Sequence, residues 1–214
     1  MLCGMRDKNP AVPARPGAIS AQLEDDDSLR DPRPDRQTLP APTCLPRVHL
    51  VIGPVGAGKS TFAQALAREQ SAVRLTLDAW MTTLFSPDRP ETGVMDWYRE
   101  RAARCVDQIW NLTKELTAAG VAIVLEIGLI QRHQRVRFYR RVDEAGLDLT
   151  IYVLDAPRDI RRERVEARNH DRGDTFSMVV PPAIFELASD LWEPPDAAER
   201  EGREVHLIDT PPVG

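Results

Sequence analysis

One segment, residues 53–61, constrains this chain more than any other part of its sequence. It reads GPVGAGKST and fits the pattern G-x-x-x-x-G-K-[ST], the phosphate-binding P-loop, at every fixed position. Its glycines allow the backbone to wrap closely around a triphosphate, where a Cβ atom would clash. Its successive backbone N–H groups form an anion nest at the start of a helix. The predicted phosphate-binding residues are Gly53, Pro54, Val55, Gly56, Ala57, Gly58, Lys59, Ser60 and Thr61.

Lys59 and Ser60 are the side chains of this segment that the motif assigns to nucleotide chemistry. A lysine here places its ammonium near the β- and γ-phosphates, and the hydroxyl that follows ligates Mg²⁺. The flanking residues have suitable patterns. Residues 47–52 are rich in aliphatic and β-branched residues, typical of a strand, and residues 61–70 carry apolar side chains at helical spacing. Strand, glycine-rich loop and helix in this order predict a nucleotide site that uses magnesium.

The composition is that of a globular protein, with 42% hydrophobic and 29% charged residues among 214. A net charge of −5 argues against a broad basic face for nucleic acid. No apolar run approaches the ~20 residues that span a bilayer, so we expect no membrane partner. Cys3, Cys44 and Cys105 are too widely spaced for a disulfide framework or a metal site, which indicates a cytoplasmic location.

Residues 1–46 differ in composition from the rest of the chain. Prolines recur at eight positions, and residues 24–27 form an acidic run. Few large apolar side chains are present to offset the entropy lost on ordering. We therefore expect a disordered tail over residues 1–46, with a partner-binding arm as the alternative. A single domain is expected over residues 47–214.

Strand and helix patterns alternate along this domain. Further strands are expected at residues 73–77, 121–125, 147–154 and 204–208, and further helices at residues 96–119, 131–145, 157–169 and 182–191. The continuous apolar run at residues 121–125 is typical of a central parallel strand that is covered on both faces. The sequence thus predicts an α/β fold, a doubly wound αβα sandwich of three layers around a mostly parallel, five-stranded sheet.

Two carboxylates, Asp78 and Glu126, follow predicted strands. The carboxyl ends of parallel strands share one edge of the sheet, so we expect both near the P-loop. Asp78 could accept a proton from an attacking hydroxyl, or it could cap a helix that begins near Ala79. Glu126 could hold Mg²⁺ or its water shell, reach the substrate, or pair with an arginine. Arg132 and Arg135 could reach an anionic substrate or be solvated at the surface.

Arg161, Arg164 and Arg168 lie on one face of the helix predicted after the fourth strand. Clustered guanidinium groups bind phosphate in a bidentate way and stabilise charge on a transferred phosphoryl group. A solvated helix with many ion pairs is the alternative. We select Arg164 and Arg168 as functional because their helix follows a strand end. Residues 169–177 contain alternating charges and indicate a small lid.

Four further segments occur together with the P-loop. They are Leu77–Trp80 (LDAW), Val124–Gly128 (VLEIG), residues 154–169 and Leu191–Asp196 (LWEPPD). With them, residues 47–209 resemble the small AAA-type P-loop kinases among predicted ATP-binding proteins. This group is related to the polynucleotide 5′-kinase domain, chloramphenicol phosphotransferase, gluconate kinase and zeta toxins.

The resemblance implies a kinase that moves the γ-phosphate of ATP to a hydroxyl group, with ATP and Mg²⁺ as cofactors and a small, arginine-rich lid. Lys59 and Ser60 match the nucleotide and magnesium positions of the family. Asp78 matches the aspartate that activates the acceptor hydroxyl in the polynucleotide and chloramphenicol kinases. Arg164 and Arg168 match the lid arginines.

Many relatives have an aspartate at the position of Glu126. This difference leaves open whether Glu126 contacts Mg²⁺ or the substrate. The acceptor is not identified, because the relatives phosphorylate unrelated molecules, and a nucleic-acid end is not favoured. A regulatory NTPase switch and a zeta-like toxin kinase acting on a sugar nucleotide are the alternatives. A water-positioning glutamine or a guanine-binding N-K-x-D motif would favour the switch. The sequence contains no convincing glutamine of this kind and no such motif. The sequence does not indicate an oligomeric state.

Overall fold

The computed structural model describes residues 47–171 and 178–210 of the chain. The tail predicted over residues 1–46 lies outside the described residues, and so does most of the predicted lid. Within the described residues, no helix combines the length and the apolar character needed to cross a membrane.

Five parallel strands form one sheet. In chain order they are β1 (Val48–Ile52), β2 (Val73–Thr76), β3 (Ile123–Glu126), β4 (Leu149–Asp155) and β5 (Glu204–Asp209). Across the sheet the order is β2-β3-β1-β4-β5, and each neighbouring pair is parallel. The predicted α/β fold is confirmed, and the sheet is entirely rather than mostly parallel.

Seven α-helices connect or follow these strands in the described chain. They are α1 (Lys59–Glu69), α2 (Leu77–Leu84), α3 (Val94–Ala118), α4 (Arg132–Glu144), α5 (Arg158–Asp171), α6 (Pro182–Asp190) and α7 (Ala197–Arg200). The predicted strands and helices are all present, with ends displaced by at most two residues. The sequence patterns did not predict α7, and they placed the start of α2 only approximately.

Alternate residues of the strands enter two different apolar clusters, one on each face of the sheet. Leu50 of β1 and Leu125 of β3 pack in a large cluster with residues of α3 and α4, such as Ile109 and Phe138. On the opposite face, Val51 packs in a smaller cluster that includes residues of α1. Because helices cover both faces of the sheet, the fold has three layers. The loops that follow the strands meet at one edge of this sheet.

A threonine ends β2 and begins α2. The Thr76 hydroxyl accepts a hydrogen bond from the backbone N–H of Ala79 at 3.2 Å, so Thr76 is the N-cap residue. The helix therefore starts at Leu77, which is buried, and Asp78 lies in its first turn. The strand predicted to continue to Leu77 is one residue shorter because this cap ends it.

Candidate active site

A cavity of 1220 Å³ opens at the carboxyl-terminal edge of the sheet. Residues that end or follow four different strands line it: Asp78 after β2, Glu126 of β3, Leu154 of β4 and Thr210 after β5. Most of the predicted site residues meet here, because the carboxyl ends of parallel strands share one edge. They are Val55, Gly56, Gly58, Lys59, Ser60, Thr61, Asp78, Glu126, Arg164 and Arg168. Gly53, Pro54 and Ala57 do not line the cavity.

The P-loop follows β1 tightly and leads directly into α1. Gly56 has a φ of 81°, and a Cβ atom added there would lie 2.5 Å from the carbonyl oxygen of Arg161. A Cβ atom at Gly53, with a φ of 152°, would lie 2.3 Å from the carbonyl oxygen of Leu154. Only glycine fits either position, because other residues would meet backbone that cannot move aside. The loop is thereby held against β4 and α5. Its backbone N–H groups lie at the N-terminus of α1.

Lys59 is the first residue of α1, and its side chain contacts the P-loop. Its Nζ donates a hydrogen bond of 2.8 Å to the carbonyl oxygen of Pro54. Burial lowers the pKa of Lys59 below its ordinary value, and the negative charges of Glu126 and Asp78 oppose this shift. The Lys59 ammonium thus lines the cavity at the P-loop, where the phosphates of a nucleotide would bind.

Ser60 and Glu126 are in direct contact beneath the P-loop. The Ser60 hydroxyl donates a hydrogen bond of 2.6 Å to Oε1 of Glu126, whose side chain is buried. Arg74 lies 3.9 Å from the other carboxylate oxygen and donates to the backbone carbonyl of Ser60. The carboxylate thus has a distant arginine partner and a close hydroxyl partner.

These two oxygen-bearing side chains fit the requirements of Mg²⁺. The ion prefers one or two protein oxygens and completes its octahedron with phosphate oxygens and water. In the described residues, no group of three or more histidine, cysteine or acidic side chains forms a metal cage. The two oxygens of Ser60 and Glu126 suit a cation that takes its other ligands from a nucleotide and water.

Asp78 faces the cavity from the first turn of α2. Its side chain is exposed, and the N-cap position belongs to Thr76, so Asp78 does not cap the helix. Tyr98 of α3 lines the same cavity, and burial, with the charge of Asp78, raises the pKa of its phenol to about 12. Tyr98 and Asp78 therefore lie close enough to influence each other within the cavity.

Arg164 of α5 is held next to the P-loop by the residue that follows β5. Its two terminal nitrogens donate to the hydroxyl and the carbonyl of Thr210, at 2.9 and 3.3 Å. The Thr210 hydroxyl lies 3.3 Å from the carbonyl oxygen of Ala57 and 3.0 Å from that of Asp155. Sequence reasoning missed Thr210, because the connection depends on β5 lying beside β4.

Arg168 lies one turn further along α5 and faces the carboxylates. Its Nε is buried and has no hydrogen-bond partner among the described residues. Burial lowers the pKa of Arg168, against the attraction of Asp78 and Glu126. A buried donor without a partner is costly, and the Arg168 side chain lines the cavity, where its guanidinium can meet an anionic ligand.

The other arginines named from the sequence serve the scaffold. Arg161 donates to the backbone carbonyls of Ala156 and Val55, which fixes the P-loop to α5. Arg132 binds Asp196. Arg135 is fully buried and takes part in an ion pair. Arg132 and Arg135 are therefore not oriented toward an anionic substrate.

Arg135 of α4 and Glu199 of α7 form a buried, bidentate ion pair, with N–O distances of 2.7 and 2.9 Å. Arg135 also donates to the carbonyl oxygens of Leu129 and Ile130, which belong to the cavity-lining loop after β3. The sequence patterns did not indicate this pair, since 64 residues separate its members. It links α7 to the wall of the cavity.

The region predicted as a lid is described only in part, because residues 172–177 lie outside the described residues. On either side of them, Asn169 and Val180 form two hydrogen bonds. The Asn169 side chain donates to the Val180 carbonyl at 2.8 Å and accepts from its N–H at 3.0 Å. These bonds hold the residues before α6 against the end of α5.

A family model described as "AAA domain" matches residues 48–186, which include the P-loop, Asp78, Glu126 and both cavity-facing arginines of α5. No curated protein matches the chain in sequence. The fold is shared with several solved structures, each less than 25% identical to the chain.

A candidate kinase from Chloroflexus aurantiacus has a TM-score of 0.62 and 20% identity, over 78% of this chain and 86% of that one. A sugar kinase from Janibacter sp. HTCC2649 has a TM-score of 0.55 and 18% identity, over 78% and 88%. Kti12 from Chaetomium thermophilum, solved with ADP-AlF3, has a TM-score of 0.55 and 14% identity, over 76% and 88%. These structures share the fold of P-loop kinases.

Proposed function

The chain belongs to the AAA domain family, and from its site we propose that it is an ATP-dependent phosphotransferase that acts on a hydroxyl group. One observation carries the proposal. Asp78, which does not cap its own helix, opens onto the same cavity as Lys59 of the P-loop and Arg168 of α5. A proton acceptor, an ammonium at the phosphate-binding loop and a guanidinium together suit phosphoryl transfer to an alcohol.

In this proposal the P-loop N–H groups and Lys59 bind the phosphates of ATP. Asp78 accepts the proton of the acceptor hydroxyl as the hydroxyl oxygen bonds to the γ-phosphorus. The bond between the γ-phosphorus and the bridging oxygen breaks, and ADP leaves. Arg168 stabilises the charge on the transferred phosphoryl group, and Arg164 keeps α5 and the residue after β5 beside the nucleotide.

Ser60 and Glu126 would hold Mg²⁺, directly or through water, because their oxygens already lie 2.6 Å apart. Such an ion supplies positive charge at the β- and γ-phosphate oxygens. Tyr98, whose side chain lines the same cavity, would orient the acceptor beside Asp78. The spacing of the cysteines still favours a cytoplasmic location, and the thiol of Cys105 is buried and unpaired.

The proposal is tested by incubating the full chain with γ-labelled ATP, Mg²⁺ and a panel of hydroxylated metabolites, antibiotics and oligonucleotides. We expect label to move to at least one alcohol, and we expect Lys59→Ala to abolish this transfer without unfolding the domain. Transfer at a normal rate by folded Lys59→Ala protein would contradict the assignment of the phosphate site. Release of inorganic phosphate alone would favour a nucleotide-hydrolysing switch.

A further inference from the structure

One wall of the cavity is built from large apolar side chains that are exposed. In the described part of the chain, eight large hydrophobic side chains are exposed, and five of them line this cavity. We call these five the apolar wall: Met95, Val179, Ile184, Leu187 and Leu191, each 41–49% exposed. Concentration of exposed apolar surface in one concave site, next to a phosphate-binding loop, is typical of ligand binding.

The helix α6 and the residue after it provide three of these five side chains, because the two faces of the helix differ. On one face, Phe185 is 1% exposed, and Glu186 accepts hydrogen bonds from Arg158 and Arg162 of α5. Ile184 and Leu187, with Leu191 just after the helix, follow one another at spacings of three and four residues and line the cavity. The helix is thus fixed to α5 by one face, which leaves the apolar stripe toward the cavity.

Outside the P-loop, α5 and the apolar wall, four arginines line the cavity, and two of them are paired with acids. Arg99 and Arg141 line the cavity, but Arg99 binds Asp96 at 3.1 Å and Arg141 binds Asp107 at 2.7 Å. Arg89 and Arg137, which are exposed, are the other two. Apolar side chains from α3 and α4 complete the surface, among them Val106.

We propose that the acceptor is an alcohol with an apolar body, which lies on the apolar wall and presents its hydroxyl to Asp78. This inference rests on the proposed phosphotransferase function. The hydroxyl oxygen bonds to the γ-phosphorus of ATP, its proton passes to Asp78, and ADP departs with the bridging oxygen. The product is the phosphate monoester of the alcohol.

The size of the cavity agrees with two substrates. Its 1220 Å³ exceeds the roughly 300–1000 Å³ of a pocket for one drug-sized ligand. The P-loop and Lys59 occupy one part of its lining, and the apolar wall occupies another. A sugar or a nucleotide would leave the apolar wall against polar groups, which loses the favourable burial of that surface.

The test compares acceptors that differ only in their bodies. Unbranched primary alcohols from butanol to octanol, with sorbitol, gluconate and AMP, are added to the full chain with ATP and Mg²⁺, and ADP and phosphate ester are measured. We expect the alcohols to be phosphorylated, with KM falling up to about fourfold per added methylene, the factor that corresponds to burying ~0.8 kcal/mol of methylene. If sorbitol, gluconate or AMP is phosphorylated in preference to the alcohols, the proposal of an apolar acceptor is overturned. The proposed phosphotransferase function would still stand.

Two leucine variants provide the matched control. Leu187 of the apolar wall and Leu84 of α2 are both exposed helical leucines, at 45% and 55%, but Leu84 does not line the cavity. We expect Leu187→Asn to raise the KM for octanol about tenfold, the effect of losing much of one buried leucine contact. The affinity for ATP should not change, and Leu84→Asn should behave as the wild type. Equal KM values in both variants would overturn the inference.

Binding measurements separate this inference from the proposed function. If no acceptor is phosphorylated, the phosphotransferase proposal fails, and calorimetry with octanol alone decides the role of the wall. Octanol binding that Leu187→Asn weakens supports an apolar ligand site, whereas absence of binding overturns it. Sedimentation tests one further alternative. If the wild type is a dimer that Leu187→Asn dissociates, the apolar wall binds a second copy of the chain, and the inference is overturned.

Discussion

The Ser60 hydroxyl donates a hydrogen bond of 2.6 Å to the Glu126 carboxylate, although 66 residues separate them in the chain. The contact exists because β1 and β3 are parallel neighbours, with Leu50 beside Leu125. The loop after β1 and the last residue of β3 therefore meet at one edge of the sheet. A hydroxyl and a carboxylate in contact at this position are suitable oxygen ligands for a magnesium nucleotide.

Glu126→Gln should weaken the binding of Mg-ATP, because an amide lacks the negative charge that attracts the cation. We expect a loss of about 10–100-fold, the range for groups that support a metal site, and little change in ATP affinity with EDTA present. Calorimetry with and without magnesium measures both values. The control is Asp155→Asn, which changes an exposed acid at the end of β4. Identical magnesium dependence in wild type and Glu126→Gln would remove Glu126 from the metal site.

Asp78→Asn should lower kcat by about 10²–10⁴, the usual contribution of a general base, while ATP affinity stays close to that of the wild type. The amide keeps the shape of the side chain but cannot accept the proton. Since Thr76 caps α2, the melting temperature should change little. Asp96→Asn, an exposed first-turn acid on α3, is the matched control. A fall in kcat of less than about tenfold would show that Asp78 is not the base.

The two arginines of α5 should separate in their effects. Arg168→Met removes a guanidinium that faces Asp78 and Glu126, so we expect kcat to fall by about 10²–10³ with little loss of stability. Arg164→Met removes two hydrogen bonds to Thr210, so we expect weaker ATP binding and a lower melting temperature. Steady-state kinetics and thermal unfolding distinguish the two. The same kinetic profile in both variants would argue against these different roles.

The buried pair Arg135–Glu199 should be strongly coupled. Either Arg135→Leu or Glu199→Leu leaves an uncompensated buried charge, and each should lower the free energy of unfolding by about 3–5 kcal/mol. The double variant should be clearly more stable than the sum of the two losses implies, because it leaves neither charge buried. Denaturant unfolding of all four proteins measures the coupling. Additive losses would show that the two charges do not stabilise each other.

The sequence predicted the fold because its main signals are local. The P-loop pattern requires a strand before it and a helix after it, and both are present as β1 and α1. The apolar run at residues 121–125 predicted a central strand, and β3 lies between β1 and β2. Since parallel strands share one edge, the positions of Asp78 and Glu126 near the P-loop followed from their places at strand ends.

Contacts between distant parts of the chain could not be predicted in this way. Arg135 looked like a surface residue that could reach a substrate, because its buried partner Glu199 belongs to a short helix with no apolar periodicity. Thr210 carries no motif, and its contact with Arg164 depends on the pairing of β4 with β5. That Asp78 does not cap α2 depends on one hydroxyl, that of Thr76, and its role as the base stays a prediction.

The most direct measurement of the central claim is a phosphorus NMR spectrum of the full chain with ATP, Mg²⁺ and the best acceptor from the panel. We predict that the γ-phosphate signal of ATP is replaced by the signals of ADP and of a phosphate monoester. Lys59→Ala should leave ATP unchanged, because the phosphates lose their ammonium partner. Conversion of ATP to ADP and inorganic phosphate alone, at a rate that no acceptor changes, would contradict the account.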